Sequence, residues 1–262
     1  MSESKPQFSN RKTDHQTLRA RGIYLLPNLF TSAALFAGFY AIVQAMNGRF
    51  EFAAIAIFIA MVMDGLDGRV ARMTNTQSAF GAEYDSLSDM VSFGVAPALI
   101  LYVWALKPLG KLGWIAAFIY CACAALRLAR FNTKLDDDTQ DKRYFQGLPS
   151  PAAAALLAGF VWVSYEYGVS GRDVFFGVLK MKWMAWALTV FAGVSMVSDL
   201  RYYSGKEINL RDSVPFFVML GIVLAFVLIS YSPPEVLFFV MVVYALSGYV
   251  MWVRRRLGSG KS

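Results

Sequence analysis

The chain has 262 residues, 57% hydrophobic and only 16% charged, with a mean hydropathy of +0.46 and a formal net charge of +7. Soluble domains carry about a quarter of their residues as charges, so this balance excludes one. Long apolar runs recur along the chain, which gives an all-α polytopic membrane protein with one membrane domain.

Residues 1–21 read as a polar, basic N-terminal tail whose end suits an anionic leaflet, with no signal-peptide pattern. Residues 22–253 form a single transmembrane domain, and residues 254–262 a basic C-terminal tail. Apolar spans are predicted at about 24–46, 52–73, 85–106, 112–132, 150–168, 182–198, 213–231 and 234–253. The second carries Asp64, Asp67, Arg69 and Arg72 in its latter half and must end in a polar cavity or in water. A polar connection over 74–84 precedes the third span, Pro108 and Gly110 mark a tight turn after it, and Pro149 and Pro151 open the fifth. The loops at 133–149 and 199–212 are charged.

Eight spans place both termini on one side. That side collects 19 of the 25 lysines and arginines, so the positive-inside rule puts both termini in the cytoplasm, together with the start of the third span. The basic residues therefore trace topology and do not form a nucleic-acid-binding patch. The only histidine, His15, lies in the polar tail, which argues against a catalytic triad, histidine acid/base chemistry and His-ligated zinc. Cys121 and Cys123 are two apart in an apolar run, a spacing that suits packing rather than zinc or a disulfide.

Four aspartates frame the turn between the second and third spans. Asp64 and Asp67 are three apart, and Asp85 and Asp89 four apart, so each pair shares one helix face. Both pairs fall at the cytoplasmic membrane boundary. Four carboxylates crowded there need compensation, which a pair of divalent cations with oxygen ligands supplies; this is a two-metal arrangement for phosphoryl chemistry. Gly68 and Gly81 let a bulky ligand approach the backbone, and Arg72 can bind a phosphate oxygen. These groups suit a lipid-borne diphosphate. Solvated helix ends are the alternative, because acidic residues are common there and Asp85 suits a helix N-terminus.

The full pattern is Asp64-x-x-Asp67-Gly68-x-x-Ala71-Arg72, eight residues, then Gly81-x-x-x-Asp85-x-x-x-Asp89. It resembles the signature of the CDP-alcohol phosphatidyltransferase family. Three further stretches resemble the phosphatidylserine synthase branch of that family: Asp85 to Pro97, Arg127-Leu128-Ala129-Arg130-Phe131-Asn132, and Gly147-Leu148-Pro149-Ser150-Pro151. Together the likeness extends over about residues 24–165.

The resemblance implies a six-helix core plus an extra pair, a homodimer, and a multi-pass protein of the bacterial inner membrane with its site facing the cytoplasm. It implies transfer of a phosphatidyl group from CDP-diacylglycerol to L-serine with release of CMP. Asp64, Asp67, Asp85 and Asp89 would hold two divalent cations, Mg²⁺ or Mn²⁺, and Asp89 would also act as general base. Asn28, Asp67, Gly68, Arg72, Ser78 and Gly81 would line the CDP pocket. Arg127 and Arg130 would meet the acceptor or the migrating phosphate, with hydrogen bonds from Ser88, Ser92 or Ser150. The nearest rival keeps the reaction and changes the acceptor to glycerol 3-phosphate, inositol or choline. A transporter is the second class, although these carboxylates crowd one interface and mark no route through the midplane.

Overall fold

A computed structural model of the chain describes residues 12–134, 144–171, 174–175, 179–204 and 216–258. The first eleven residues of the predicted tail, the core of the acidic loop at 135–143, the segment 205–215 and the last four residues lie outside the described residues.

Among the described residues eight helices follow in order: α1 Lys12–Met46, α2 Phe50–Thr74, α3 Ala79–Leu109, α4 Lys111–Lys134, α5 Ser150–Glu166, α6 Met181–Val197, α7 Phe216–Tyr231 and α8 Pro233–Gly258. Four stretches among the described residues are long and apolar enough to cross a membrane: Leu26–Met46, Ala79–Leu109, Lys111–Thr133 and Pro233–Leu257. The protein is thus a helical membrane protein. α2 carries charge in its latter half, as predicted, and α6 is a shorter apolar helix.

Three boundaries differ from expectation, one being the end of α8 at Gly258, inside the basic C-terminal tail expected over 254–262. α1 begins at Lys12, inside the predicted polar tail, and its apolar part begins at Leu26. α3 begins at Ala79, six residues before the predicted start, which shortens the polar connection to 75–78. The cause is local: Ser78 is extended and its hydroxyl accepts a hydrogen bond from the Gly81 N–H at 3.0 Å, capping the helix. Asn75, with φ +52°, terminates α2 in the left-handed conformation, so chain reversal takes four residues.

Two small antiparallel ladders were not predicted. β1 (Tyr144–Gln146) pairs with β4 (Arg201–Tyr203), and β2 (Val174–Phe175) with β3 (Leu179–Lys180). The first ladder joins the two predicted charged loops. At its end Gly147 has φ +77°, and a Cβ there would collide with the Met196 carbonyl, so this turn requires glycine.

α5 is the central helix. Ala153–Ala154–Ala155–Leu156–Leu157–Ala158 is buried throughout, so the helix has no solvent or lipid stripe in its first half. α2 and α8 pack on it, α1 packs along α2 and α3, and α4 packs on α6. Small side chains permit these approaches: Ala37, Ala41 and Ala45 of α1 and Ala53, Ala56 and Ala60 of α2 are all in the core. α3 contains a widened π turn at Met90–Val95, where the Ala96 N–H reaches the Val91 carbonyl. It ends two residues before Pro97, which has no N–H to donate, and immediately follows Asp89.

The α1–α3 contact fixes the height of α3. Ser88 donates to the Thr31 carbonyl at 3.1 Å and Ser92 to the Ala34 carbonyl at 3.0 Å. These two serines therefore hold helices together and do not face an acceptor. A Cβ on Gly38 would run into Ser92, including its backbone Cα at 2.7 Å. Gly38→Val is expected to destabilise the protein by about 1–3 kcal/mol through overpacking. The check is the melting temperature in detergent; an unchanged value would mean that α1 and α3 do not approach this closely.

Candidate active site

α2 ends and α3 begins on the same side of the bundle, so the two aspartate pairs meet. One carboxylate oxygen from each of Asp64, Asp67 and Asp85 lies within 4.8 Å of the others. Asp89, one turn beyond Asp85, faces Asp64 and stands outside that group of three. Asp67 is buried, and its Oδ2 accepts a 2.8 Å hydrogen bond from the Thr31 hydroxyl of α1. Among the described residues no lysine or arginine forms an ion pair with any of the four. Unit charges at this separation repel by about 3–4 kcal/mol per pair at an effective dielectric of 20.

Two observations fit this site to a divalent cation. The donor set is carboxylate oxygen alone, the chemistry of hard cations. Asp85 Oδ1 is buried and has no hydrogen-bond partner, so its lone pairs are uncommitted.

A cavity of about 400 Å³ opens beside the carboxylates. Asn28, Asp67, Gly68, Arg72, Ser78 and Gly81, the six residues expected around CDP, all line it, as does Asp85. A Cβ on Gly81 would come within 3.1 Å of the Ser78 hydroxyl and 3.4 Å of Asn28 Oδ1, so glycine keeps this wall open. Pro27, Thr31, Ala71, Thr76, Gln77, Ala82 and Phe131 complete the lining. Sequence reading missed these. Thr31 had a usable signal, because it follows Asn28 by three residues and shares its helix face. Phe131 had none, since only the fold brings α4 over the cavity.

The two arginines of α4 part company. Arg127 turns inward: its Nη1 donates to the Ser150 hydroxyl at 2.8 Å, and its guanidinium lies in the field of Asp89. Arg130 turns outward, bridging to Asp199 at 2.8 Å and donating to the Val197 carbonyl at 3.4 Å. Gln146 of β1 donates to the same Asp199 oxygen at 2.7 Å. Arg130 thus clamps α4 to the β1–β4 ladder, and Ser150 is the partner of Arg127.

The fold and the carboxylate cluster define a membrane-embedded transferase of one family. The model of the CDP-alcohol phosphatidyltransferase family matches residues 24–195, and the chain belongs to that family. Among curated relatives, the CDP-diacylglycerol–serine O-phosphatidyltransferase of Helicobacter pylori is 36% identical over 234 residues, covering 88% of this chain and 92% of the relative. The protein of the same name from Methanocaldococcus jannaschii is 34% identical over 200 residues, 76% of this chain and 83% of the relative. That from Saccharomyces cerevisiae is 37% identical over 157 residues, 55% and 56% of the two chains.

The purified protein is expected to bind Mn²⁺, seen as loss of the free-ion EPR signal. Asp64→Asn, Asp67→Asn and Asp85→Asn should each weaken that binding at least about tenfold, since loss of even an outer partner of a metal ligand costs that much. A variant that binds like the parent would remove its residue from the ligand set.

Proposed function

We infer that the chain transfers the phosphatidyl group of CDP-diacylglycerol to the hydroxyl of L-serine, giving phosphatidylserine and CMP. One observation carries the reading: three carboxylates from two helices converge, and two of them, Asp67 and Asp85, line a cavity bounded by all six residues expected around CDP. The relatives named above carry the activity in their names, and the first of them is matched over nearly its full length.

Asn28, Asp67, Gly68, Arg72, Ser78 and Gly81 receive the cytidine diphosphate. Gly68 and Gly81 admit it to the backbone, and the Arg72 guanidinium pairs with a phosphate oxygen. Asp64, Asp67 and Asp85 would hold two divalent cations, Mg²⁺ or Mn²⁺, with Asp89 completing the second site. The chemistry supplied there would be neutralisation of charge on the phosphates and the leaving group.

Asp89 takes the proton from the serine hydroxyl. The serine oxygen bonds to the lipid-bearing β-phosphorus in line, the bond from that phosphorus to the bridging oxygen breaks, and the bridging oxygen leaves with CMP. Asp89 suits this task because it faces Asp64 yet stands outside the group of three. Arg127 takes the carboxylate of serine, while Arg130, committed to Asp199, supports the wall behind it.

In this reading eight spans place both termini and the site in the cytoplasm, a placement supported by the 19 of 25 basic residues that fall on that side. The enzyme resides in the bacterial inner membrane among its lipid substrates and, as the family resemblance implies, forms a homodimer.

The test is CMP release by the purified protein with CDP-diacylglycerol and Mn²⁺, with L-serine, glycerol 3-phosphate, inositol and choline supplied one at a time. Release with serine alone is expected; release with another acceptor would keep the mechanism and change the substrate. Asp89→Asn should lower kcat by at least about a hundredfold, the usual scale of general-base catalysis, and retained turnover would remove Asp89 as the base. Arg127→Ala should raise the KM for serine by about tenfold or more, as expected for loss of a charge-assisted hydrogen bond. Arg130→Ala should behave like Asp199→Ala, and a larger serine-specific effect in Arg130→Ala would place that arginine on the acceptor instead.

A further inference from the structure

We propose that Phe131 of α4 is the base-binding wall of the nucleotide cavity, its ring stacking on the cytosine of the donor. This rests on the reading of a cytidine diphosphate lipid as donor. The six residues expected around CDP come from α1, α2, α3 and the turn before α3, and none of them is aromatic.

A nucleoside diphosphate makes two different demands on a cavity. Its phosphates need cations and hydrogen-bond donors, whereas its base is flat, uncharged and stacks readily on an aromatic ring. The first demand is met by Arg72 and by Asp67 and Asp85, two of the carboxylates that suit a cation. Asp64 and Asp89 do not line the cavity, so it lies to one side of the cluster, away from the place assigned to the acceptor. Phe131 is the one aromatic side chain among the described residues of its lining.

The ring is 44% exposed. For a ring on a membrane helix the ordinary explanation is contact with lipid chains. Phe131 differs from such rings because it borders a cavity whose other walls are polar or small, Gln77 and Ala82 among them. Its face is also uncommitted: Phe80 and Tyr84 of α3 stack on each other at 6.0 Å, but Phe131 pairs with no other ring among the described residues.

The placement of the ring is built in by its two neighbours. Asn132 Nδ2 donates to the Ser86 hydroxyl of α3 at 2.9 Å, and Ser86 directly follows Asp85. Ser86 in turn donates to the carbonyl of Ala82, a residue of the cavity wall, at 3.1 Å. Arg130 reaches elsewhere, to Asp199 at 2.8 Å. Successive side chains on a helix point about 100° apart. Arg130 and Asn132 therefore fix the rotation of α4 from two directions, and that rotation sets Phe131 at the cavity.

The experiment uses the full chain in detergent, titrated calorimetrically at a fixed free Mg²⁺ concentration. CDP supplies base and diphosphate; inorganic pyrophosphate supplies the diphosphate alone. Phe131→Leu keeps an apolar side chain and removes the ring face. It should weaken CDP binding about fivefold or more and leave pyrophosphate at the parent's affinity. Phe131→Tyr keeps the ring and should bind CDP as the parent does. Parent-like CDP affinity in Phe131→Leu overturns the assignment, because apolar bulk then suffices. Loss of pyrophosphate binding in step with CDP, or equal loss of CDP binding in Phe131→Tyr, overturns it as well, because the residue then only shapes the cavity. Each of these results leaves the donor as a cytidine diphosphate. A folded parent that binds no CDP overturns the reading of the donor itself.

Discussion

Everything in this protein depends on holding like charges together at the edge of a membrane. Asp64, Asp67 and Asp85 lie within 4.8 Å of one another with no basic side chain paired to them among the described residues. Mutual repulsion would spread α2 and α3 apart unless other contacts resisted it. Those contacts are supplied one and two turns away, by groups that carry no charge. Ser88 and Ser92 tie α3 to the backbone of α1, Gly38 lets the two helices close, and Thr31 of α1 holds Asp67 from behind. The same helix, α1, also lines α2 with alanine. It acts as the common support against which both acidic helices are set. The carboxylate cluster is therefore preorganised by helix packing, before any cation arrives.

The charged half of the site was legible in the sequence for a physical reason. Helical periodicity alone puts Asp64 with Asp67 and Asp85 with Asp89 on shared faces, and hydropathy alone puts both pairs at one membrane boundary. Gly68 and Gly81 were legible because, beside a carboxylate cluster, a missing side chain lets a ligand reach the backbone. What composition concealed was the start of α3. A run of Thr, Asn, Gln, Ser and Gly reads as a loop, yet Ser78 is an N-cap and the helix is under way by Ala79. The same run also obscured the cavity wall, to which Thr76 and Gln77 contribute.

The arginines show where such reading stops. Arg127 and Arg130 are three residues apart on one helix and look equivalent, since i and i+3 are neighbours on its surface. Their roles diverge because their partners come from distant parts of the chain: Ser150 lies 23 residues from Arg127, and Asp199 lies 69 from Arg130. No periodicity encodes those distances. They are set by the β1–β4 ladder, whose three-residue strands carry too little pattern to be seen in sequence.

That ladder makes the two ends of the site different in kind. The carboxylate end stands on long helices and changes little without moving the bundle. The other end hangs on the turn Gly147-Leu148-Pro149-Ser150, pinned by the Gly147 N–H to the Leu200 carbonyl at 2.8 Å and the Leu148 N–H to the Ser195 carbonyl at 2.9 Å. Ser150 in turn holds Arg127, and Tyr202 from the same ladder seats α8. Chemistry common to a family belongs on the rigid end, where geometry must not vary. The turn, the short ladder and α8 stand apart from the helices that carry the four aspartates, and loops of this kind tolerate change better than the helices they join.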